Sequence, residues 1–180
     1  MSNEKARLTL STARLRLVAA TPAMITAELD GRDRLAELLR AVIPRDWPPE
    51  HHDAETLQFW REQLSRPGAA GWWLYYVLLT ASVPPVLVGA VGYKGPPTDG
   101  AVEVGYSVVP SWQRRGLATD ATRALIEAAW ERGADVAVAH TLEHLEPSLG
   151  VLRKLGFQQV ASSEPGALEF VLRHGSSSRG

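Results

Sequence analysis

The chain has no cysteine. Disulfides, thiol nucleophiles and thiolate metal sites are therefore excluded together, and the usage fits a cytoplasmic protein. It also has no long hydrophobic run. The longest, residues 72–79, falls far short of the ~20 apolar residues that a membrane helix needs. Residues 1–16 are polar and charged, without the apolar stretch of a secretory signal, so no membrane partner is expected. Nor is there an excess of one charge: 19 Lys and Arg against 20 Asp and Glu leave a net charge of −1. No broad field for nucleic acid follows from that balance. The spellings G-x-x-x-x-G-K-[ST], G-x-G-x-x-G and G-x-S-x-G are all missing. Nucleotide hydrolysis, Rossmann redox chemistry and serine hydrolysis thus lack their elements. There are no internal repeats, and the length suits one domain over residues 1–174, with a Ser/Gly-rich tail, 175–180, expected to be disordered.

What is present reads as alternating elements. Residues 7–19 alternate apolar and polar, the pattern of a strand. Thr21-Pro22 starts a helix, and Asp30-Gly31 ends it. A second helix is expected over 33–42, with Leu35, Leu38, Leu39 and Val42 on one face. Prolines 44, 48 and 49 keep 43–52 irregular. Asp53 caps a third helix to Leu64. Strands are expected over 72–80, 86–93 and 101–109, a helix over 119–132, and a buried strand over 135–140. A short helix over 147–155 is stopped by Gly156, and 157–162 and 167–172 form a closing hairpin. Three consecutive strands favour antiparallel pairing, and the strand–helix–strand unit that follows favours a parallel pair. The fold class is α/β (α+β), with a mixed sheet.

The sharpest local feature is Gln113-Arg114-Arg115-Gly116-Leu117-Ala118, between a strand and a long helix. The first turn of a helix has N–H groups without internal partners, and the helix dipole adds partial positive charge there. Gly116 allows close approach of the backbone, and Arg114 and Arg115 add donors. A phosphate or pyrophosphate suits such a turn, although junctions of this kind also occur without a ligand.

Taken with Glu103-Val104-Gly105-Tyr106 before it, and with Ser148 and Val151-Leu152-Arg153-Lys154-Leu155-Gly156-Phe157 after it, this stretch resembles the GNAT superfamily of acetyl-CoA-dependent N-acetyltransferases. Within that superfamily it is most similar to the branch of the ribosomal-protein alanine N-acetyltransferases. Gln113, Gly116 and Ala118 match the family pattern Q/R-x-x-G-x-G/A. The resemblance implies a mostly antiparallel central sheet, splayed where acetyl-CoA binds. It implies that the pyrophosphate lies on the N–H groups of Arg114, Arg115, Gly116, Leu117, Ala118 and Thr119. It further implies that the pantetheine arm pairs with the strand end at Val108 and Val109, and that an amine attacks the thioester directly, without a covalent enzyme intermediate. The acceptor would be a primary amine of a small molecule or of a protein N-terminus. A homodimer is a family-level expectation.

Direct attack needs a neutral amine, a stabilised oxyanion and a proton for the leaving thiolate. Glu103 is the candidate base; a structural or amine-binding carboxylate is the other reading. Ser148 aligns with the serine of that branch that protonates sulfur, and it also reads as a helix N-cap. Tyr106 is a second candidate acid, but an aromatic on a strand reads first as core. The family pattern carries Asn three residues before the serine, and here that position is Leu145. This departure supports a competing reading, a non-catalytic acyl-CoA-binding module.

His140-Thr141-Leu142-Glu143-His144 spells the inverted zinc-peptidase pattern, but it falls at the end of a strand rather than on a helix, so no metal is expected. His140 is expected to line the acceptor side of the cleft. Trp47 and His51, in the proline-rich segment, are acceptor contacts if that segment roofs the site as in the family. They are parts of a rigid surface loop if it does not. Trp73, Tyr75 and Tyr76 alternate along a strand, so one set is expected in the core and the other toward a groove or a partner.

Overall fold

The computed structural model describes residues 8–50, 52–162 and 164–175, and among these turn and cap chemistry gives eight strands and five α-helices. The alternating N-terminal segment is a hairpin rather than one strand: β1 (Thr9–Ser11) turns back into β2 (Leu15–Ala19). Thr12 makes the turn. Its Oγ1 accepts from the N–H groups of Arg14 at 3.2 Å and Leu15 at 3.0 Å, and its own N–H donates to the Leu15 carbonyl at 2.9 Å. Such local side-chain bonds compete with a strand ladder. Helix α1 (Pro22–Asp30) begins as its cap dictates, with Thr21 Oγ1 accepting from Met24 N–H at 3.2 Å. Helix α2 (Arg32–Leu39) stops three residues short of expectation. Arg40 turns left-handed at φ 50°, and Val42 leaves to bridge Val86. Leu35 and Leu39 are buried, but Leu38 and Val42 face outward. Helix α3 (Ala54–Leu64) is capped by Asp53, whose Oδ1 accepts from Thr56 N–H at 2.8 Å.

Strands β3 (Leu74–Leu79), β4 (Val86–Tyr93) and β5 (Ala101–Val108) form the expected meander. Helix α4 (Leu117–Glu131) then crosses to β6 (Val136–Thr141), which lies parallel to β5. Helix α5 (Glu146–Leu155) ends on Gly156 at φ 85°, and the hairpin of β7 (Gln158–Val160) and β8 (Leu168–Arg173) closes the chain. The sheet order is β1-β2-β3-β4-β5-β6-β8-β7, antiparallel except for β5 with β6. Among the described residues no helix is long and apolar enough to cross a membrane.

Each face of the sheet has its own core. On one face α4 and α5 pack against β2 to β6 and β8 through residues such as Leu17, Tyr75, Val104, Leu125, Leu152 and Phe170. On the other, α1, α2 and α3 pack Ile25, Leu35, Trp47 and Leu57 against Tyr76, Leu78 and Leu87. Tyr75 and Tyr76 are both fully buried, one in each core, while Trp73, just before β3, is half-buried. The second core draws on β2, β3 and β4 but on no residue within β5, β6 or β8. Among the described residues, no helix packs on that half of the second face.

Opposite Val77 and Leu78, β4 presents Gly89 and Leu87, so Val88 is an extra residue in a bulge. Beside it, a Cβ on Gly89 would lie 2.4 Å from the Ser107 carbonyl oxygen. Gly89→Ala should therefore destabilise the fold by about 1–3 kcal/mol, as forced overpacking does. A drop in melting temperature of roughly 5 °C is expected; an unchanged midpoint would show that the backbone absorbs the methyl.

Candidate active site

Strands β5 and β6 pair only at Ala101 with Val136, Val102 with Ala137 and Glu103 with Val138. Beyond Glu103 they part, and residues 104–108 have no strand partner on that side. The sheet thus opens into a V in its middle. Side chains alternate along β5, so Val104 and Tyr106 face the α4/α5 core while Glu103, Gly105 and Ser107 face the helix-free side.

The cofactor-side loop closes the end of β5. Gln113 Nε2 donates to the Val108 carbonyl at 2.9 Å, and Val109 N–H donates to the Val88 carbonyl at 3.0 Å. The chain then makes a 3-10 turn (Pro110–Trp112), and Arg114 and Gly116 both turn left-handed, at φ 61° and 74°. Alternation of this kind gathers successive N–H groups into an anion-binding concavity. Helix α4 begins at Leu117, two residues earlier than its pattern suggests, and its first bond runs from Asp120 N–H to the Gly116 carbonyl at 3.1 Å. Leu117 and Thr119 bury their side chains and offer the loop only backbone.

Arg14, from the β1–β2 turn, also reaches this loop. Its Nε donates to Asp120 Oδ2 at 3.0 Å and its Nη1 to the Arg115 carbonyl at 3.3 Å. The Arg115 guanidinium lies over Trp112, 4.6 Å from the ring centroid, and donates to the Ser111 carbonyl at 3.2 Å. Asp46 ties the loop to the proline-rich segment: its carboxylate accepts from Ser111 N–H at 2.7 Å and Ser111 Oγ at 3.1 Å. The Ser111 N–H holds the Asp46 carboxyl below the ordinary aspartate range, against the opposing effect of burial.

On the helix-free side, His140 Nδ1 lies 3.0 Å from Glu103 Oε1, and Nε2 lies 3.4 Å from Glu169 Oε2. Lys94 pairs with Glu103. Burial opposes protonation of His140, but its bond to Glu103 and the charges of Glu103 and Glu164, with a bond to Glu169, outweigh that and raise its pKa above the usual histidine value. Glu103, His140 and Glu164 place donor atoms within 4.8 Å of one another, a spacing that can hold a cation. His144 is not part of this group: His140 lies on β6 while His144 lies in the turn after it, so the zinc-peptidase spelling forms no helical pair.

On the opposite face Tyr106 OH lies 3.0 Å from Ser148 Oγ and 3.1 Å from the Ser148 carbonyl. Burial raises the Tyr106 hydroxyl pKa, and the Ser148 bond partly offsets this. Ser148 is not the N-cap. Helix α5 begins at Glu146, Leu145 occupies the cap position without a side-chain bond, and Ser148 stands third in the helix. The earlier start turns its hydroxyl to β5 instead of to the helix end.

Trp47 is not brought to this opening. It is buried on the second face, where Nε1 donates to Glu28 Oε1 at 2.9 Å. Tyr76 OH donates to Glu28 Oε2 at 2.6 Å, and His52 Nδ1 is 3.4 Å from Oε1. This cluster borders a cavity of about 300 Å³ that shares no lining residue with the V. His51 lies outside the described residues. Arg14, Lys94, Glu164 and Glu169 went unnoticed as site residues, and Tyr106 read first as core and only second as an acid. No local pattern marks them.

The model of the acetyltransferase (GNAT) domain matches residues 13–158. The chain belongs to the GNAT acetyltransferase family. By sequence alone, no curated protein matches it significantly. Solved structures with this GNAT fold include the ribosomal L7/L12 alpha-N-protein acetyltransferase RimL in complex with coenzyme A, with a TM-score of 0.65 and 18% identity over 92% of this chain and 97% of that one. An acetyltransferase from Agrobacterium tumefaciens superposes with a TM-score of 0.64 at 20% identity, over 92% of this chain and 94% of that one. The ribosomal-protein-S5-alanine acetyltransferase from Vibrio fischeri gives 0.63 at 16%, over 93% and 97%. At these identities the likeness carries the GNAT fold, with its eight-stranded, mostly antiparallel sheet.

Two glycines at the site differ in what they tolerate. Gly116 is held at φ 74°, whereas a Cβ on Gly105 would meet nothing within 4 Å. Gly116→Ala should lose about 1–2 kcal/mol to left-handed strain, while Gly105→Ala leaves the thermal midpoint unchanged. Equal midpoints for the two variants would contradict this backbone geometry.

Proposed function

We propose that this GNAT acetyltransferase moves an acetyl group from acetyl-CoA to a primary amine by direct attack in the V between β5 and β6. The observation that carries the reading is the placement of Glu103 and the Tyr106–Ser148 pair on opposite faces of one strand, at the point where that strand loses its partner. A proton acceptor and a proton donor then flank one gap.

The residues divide the work by side. The N–H groups of residues 114–119, with the charges of Arg14 and Arg114, suit the pyrophosphate of acetyl-CoA. The unpaired backbone of 104–108 suits the extended pantetheine arm, and an N–H there can donate to the oxygen that gains charge as the amine adds. The amine arrives from the helix-free face, where exposed Gly105 leaves room beside Glu103. Glu103 takes the proton that the ammonium must lose, through an intervening water where the nitrogen is out of direct reach. Ser148 gives its proton to sulfur as the C–S bond breaks, and Tyr106, itself reprotonated from solvent, restores it. The acceptor is a primary amine of a small molecule or of a protein N-terminus.

Release of free thiol from acetyl-CoA with a panel of amines tests the reading, and a chain without cysteine adds no thiol of its own. Glu103→Gln should lower kcat about 100-fold or more, the usual range for loss of a general base. Ser148→Ala and Tyr106→Phe should each lower kcat, with the double variant close to the worse single one, because the two hydroxyls act as a unit. Wild-type kcat in both single variants would remove the acid assignment. Arg14→Ala should weaken coenzyme A binding about tenfold in calorimetry, as loss of a charged hydrogen bond does; unchanged affinity would take Arg14 out of the cradle.

A further inference from the structure

We propose that His140 and Glu169 form, with Glu103, a proton relay that carries the acceptor amine's proton from the cleft to solvent. The inference rests on the assignment of Glu103 as base.

The relay is built into the sheet and not into mobile surface side chains. His140 stands directly opposite Glu169 in the β6–β8 register. Glu103 stands opposite Val138, two residues before His140 on the same face. Three adjacent strands thus place carboxylate, imidazole and carboxylate in a row across the helix-free face. The imidazole engages both: Nδ1 at 3.0 Å from Glu103 and Nε2 at 3.4 Å from Glu169. The row is most shielded at its middle, with the Glu103 side chain 24% exposed. The side chains of His140 and Glu169 are 11% and 16% exposed, and Glu164, on the turn between β7 and β8, is exposed.

Imidazole is the one side chain that takes a proton at one atom and releases another at a second atom near neutral pH. Only its protonated form donates to both carboxylates at once. Glu103 on β5, Glu169 on β8 and Glu164 on the β7–β8 turn face it and favour that form; Lys94, at the end of β4, pairs with Glu103 and opposes it. In turnover the neutral ring, with its proton on Nε2, takes at Nδ1 the proton that Glu103 received from the amine, and the imidazolium so formed passes its Nε2 proton to Glu169 and on to solvent. Proton exchange with solvent then returns the ring to its Nε2–H form. One proton enters and one leaves, with no other reactant. His140 and Glu169 touch neither the acetyl group nor the amine, so they are positioning residues that act through Glu103.

The relay makes activity depend on loss of a proton from His140. The acid limb of kcat/KM should follow its pKa, and Glu169→Gln, by removing a charge that favours the imidazolium, should move that limb to lower pH. His140→Ala should lower kcat about tenfold or more, with free imidazole in the buffer restoring part of it. A purely structural histidine would show neither the shift nor the rescue. Titration of the His140 ring by NMR supplies a readout that needs no acceptor: its pKa should exceed the ordinary value and fall in Glu169→Gln. An ordinary pKa that ignores Glu169, or full kcat in His140→Ala, overturns the relay while leaving acetyl transfer intact. A wild-type chain that releases no thiol with any amine overturns the transfer reading and the relay together.

Discussion

β5 and β6 share three residue pairs and then separate, and the rest of the site follows from that separation. Backbone polar groups inside a fold require partners. A sheet that splits in its middle exposes a row of them where edges are normally paired or covered. The chain manages the opening from both sides. Gln113 takes the Val108 carbonyl at the mouth, and Tyr106 ties β5 to α5 through Ser148. At the apex, Glu103 and His140 bridge the two strands with side chains where the backbone ladder stops. The groups that hold the opening in shape are also the groups suited to chemistry inside it.

The unequal covering of the two faces gives the opening a direction. Helices α4 and α5 cover one face from β2 to β6 and at β8. Helices α1 to α3 cover only the β2–β4 half of the other, so the gap is open to solvent beside Glu103. What keeps the three helices in place includes a buried carboxylate. Glu28 accepts from Trp47 and Tyr76 and meets His52, so that charge is not left without donors. Trp47, pinned in this way, leaves its neighbour Asp46 to grip Ser111 at the entrance of the cofactor-side loop. Tyr76 on β3 and the turn before α4 are thereby linked through Glu28, the neighbouring residues Trp47 and Asp46, and the hydrogen bonds of Asp46 to Ser111.

Arg14 and Asp120 show a similar economy. The arginine that supports the anion-binding turn comes from the first hairpin, and its partner sits in the first turn of α4. A carboxylate is favourable at a helix N-terminus, and here it also orients the guanidinium. The N-terminal hairpin, far from the turn in sequence, is therefore part of it in space.

Features that depend on neighbours in the chain were legible from residues alone. Thr21 and Asp53 cap their helices, Gly156 ends α5, and the strand–turn–helix run through Gly116 forms the nest its spacing suggests, because each is governed by bonds that span a few residues. The same locality explains the misreadings. A threonine that turned the first strand into a hairpin, and a helix that began two residues before Ser148, were decided by which competing local bond won. Long-range partners left no mark: Arg14 and Asp120 are 106 residues apart, Tyr106 and Ser148 are 42 apart, and His140 meets Glu103 and Glu169 across 37 and 29. The sequence by itself determined the family, most of the order of elements along the chain and the glycine-bearing turn before α4, because contiguous residues encode all three. Only the tertiary structure decided which carboxylates surround His140, which hydroxyls meet and which face stays open, because strand register and helix coverage bring those groups together from distant parts of the chain.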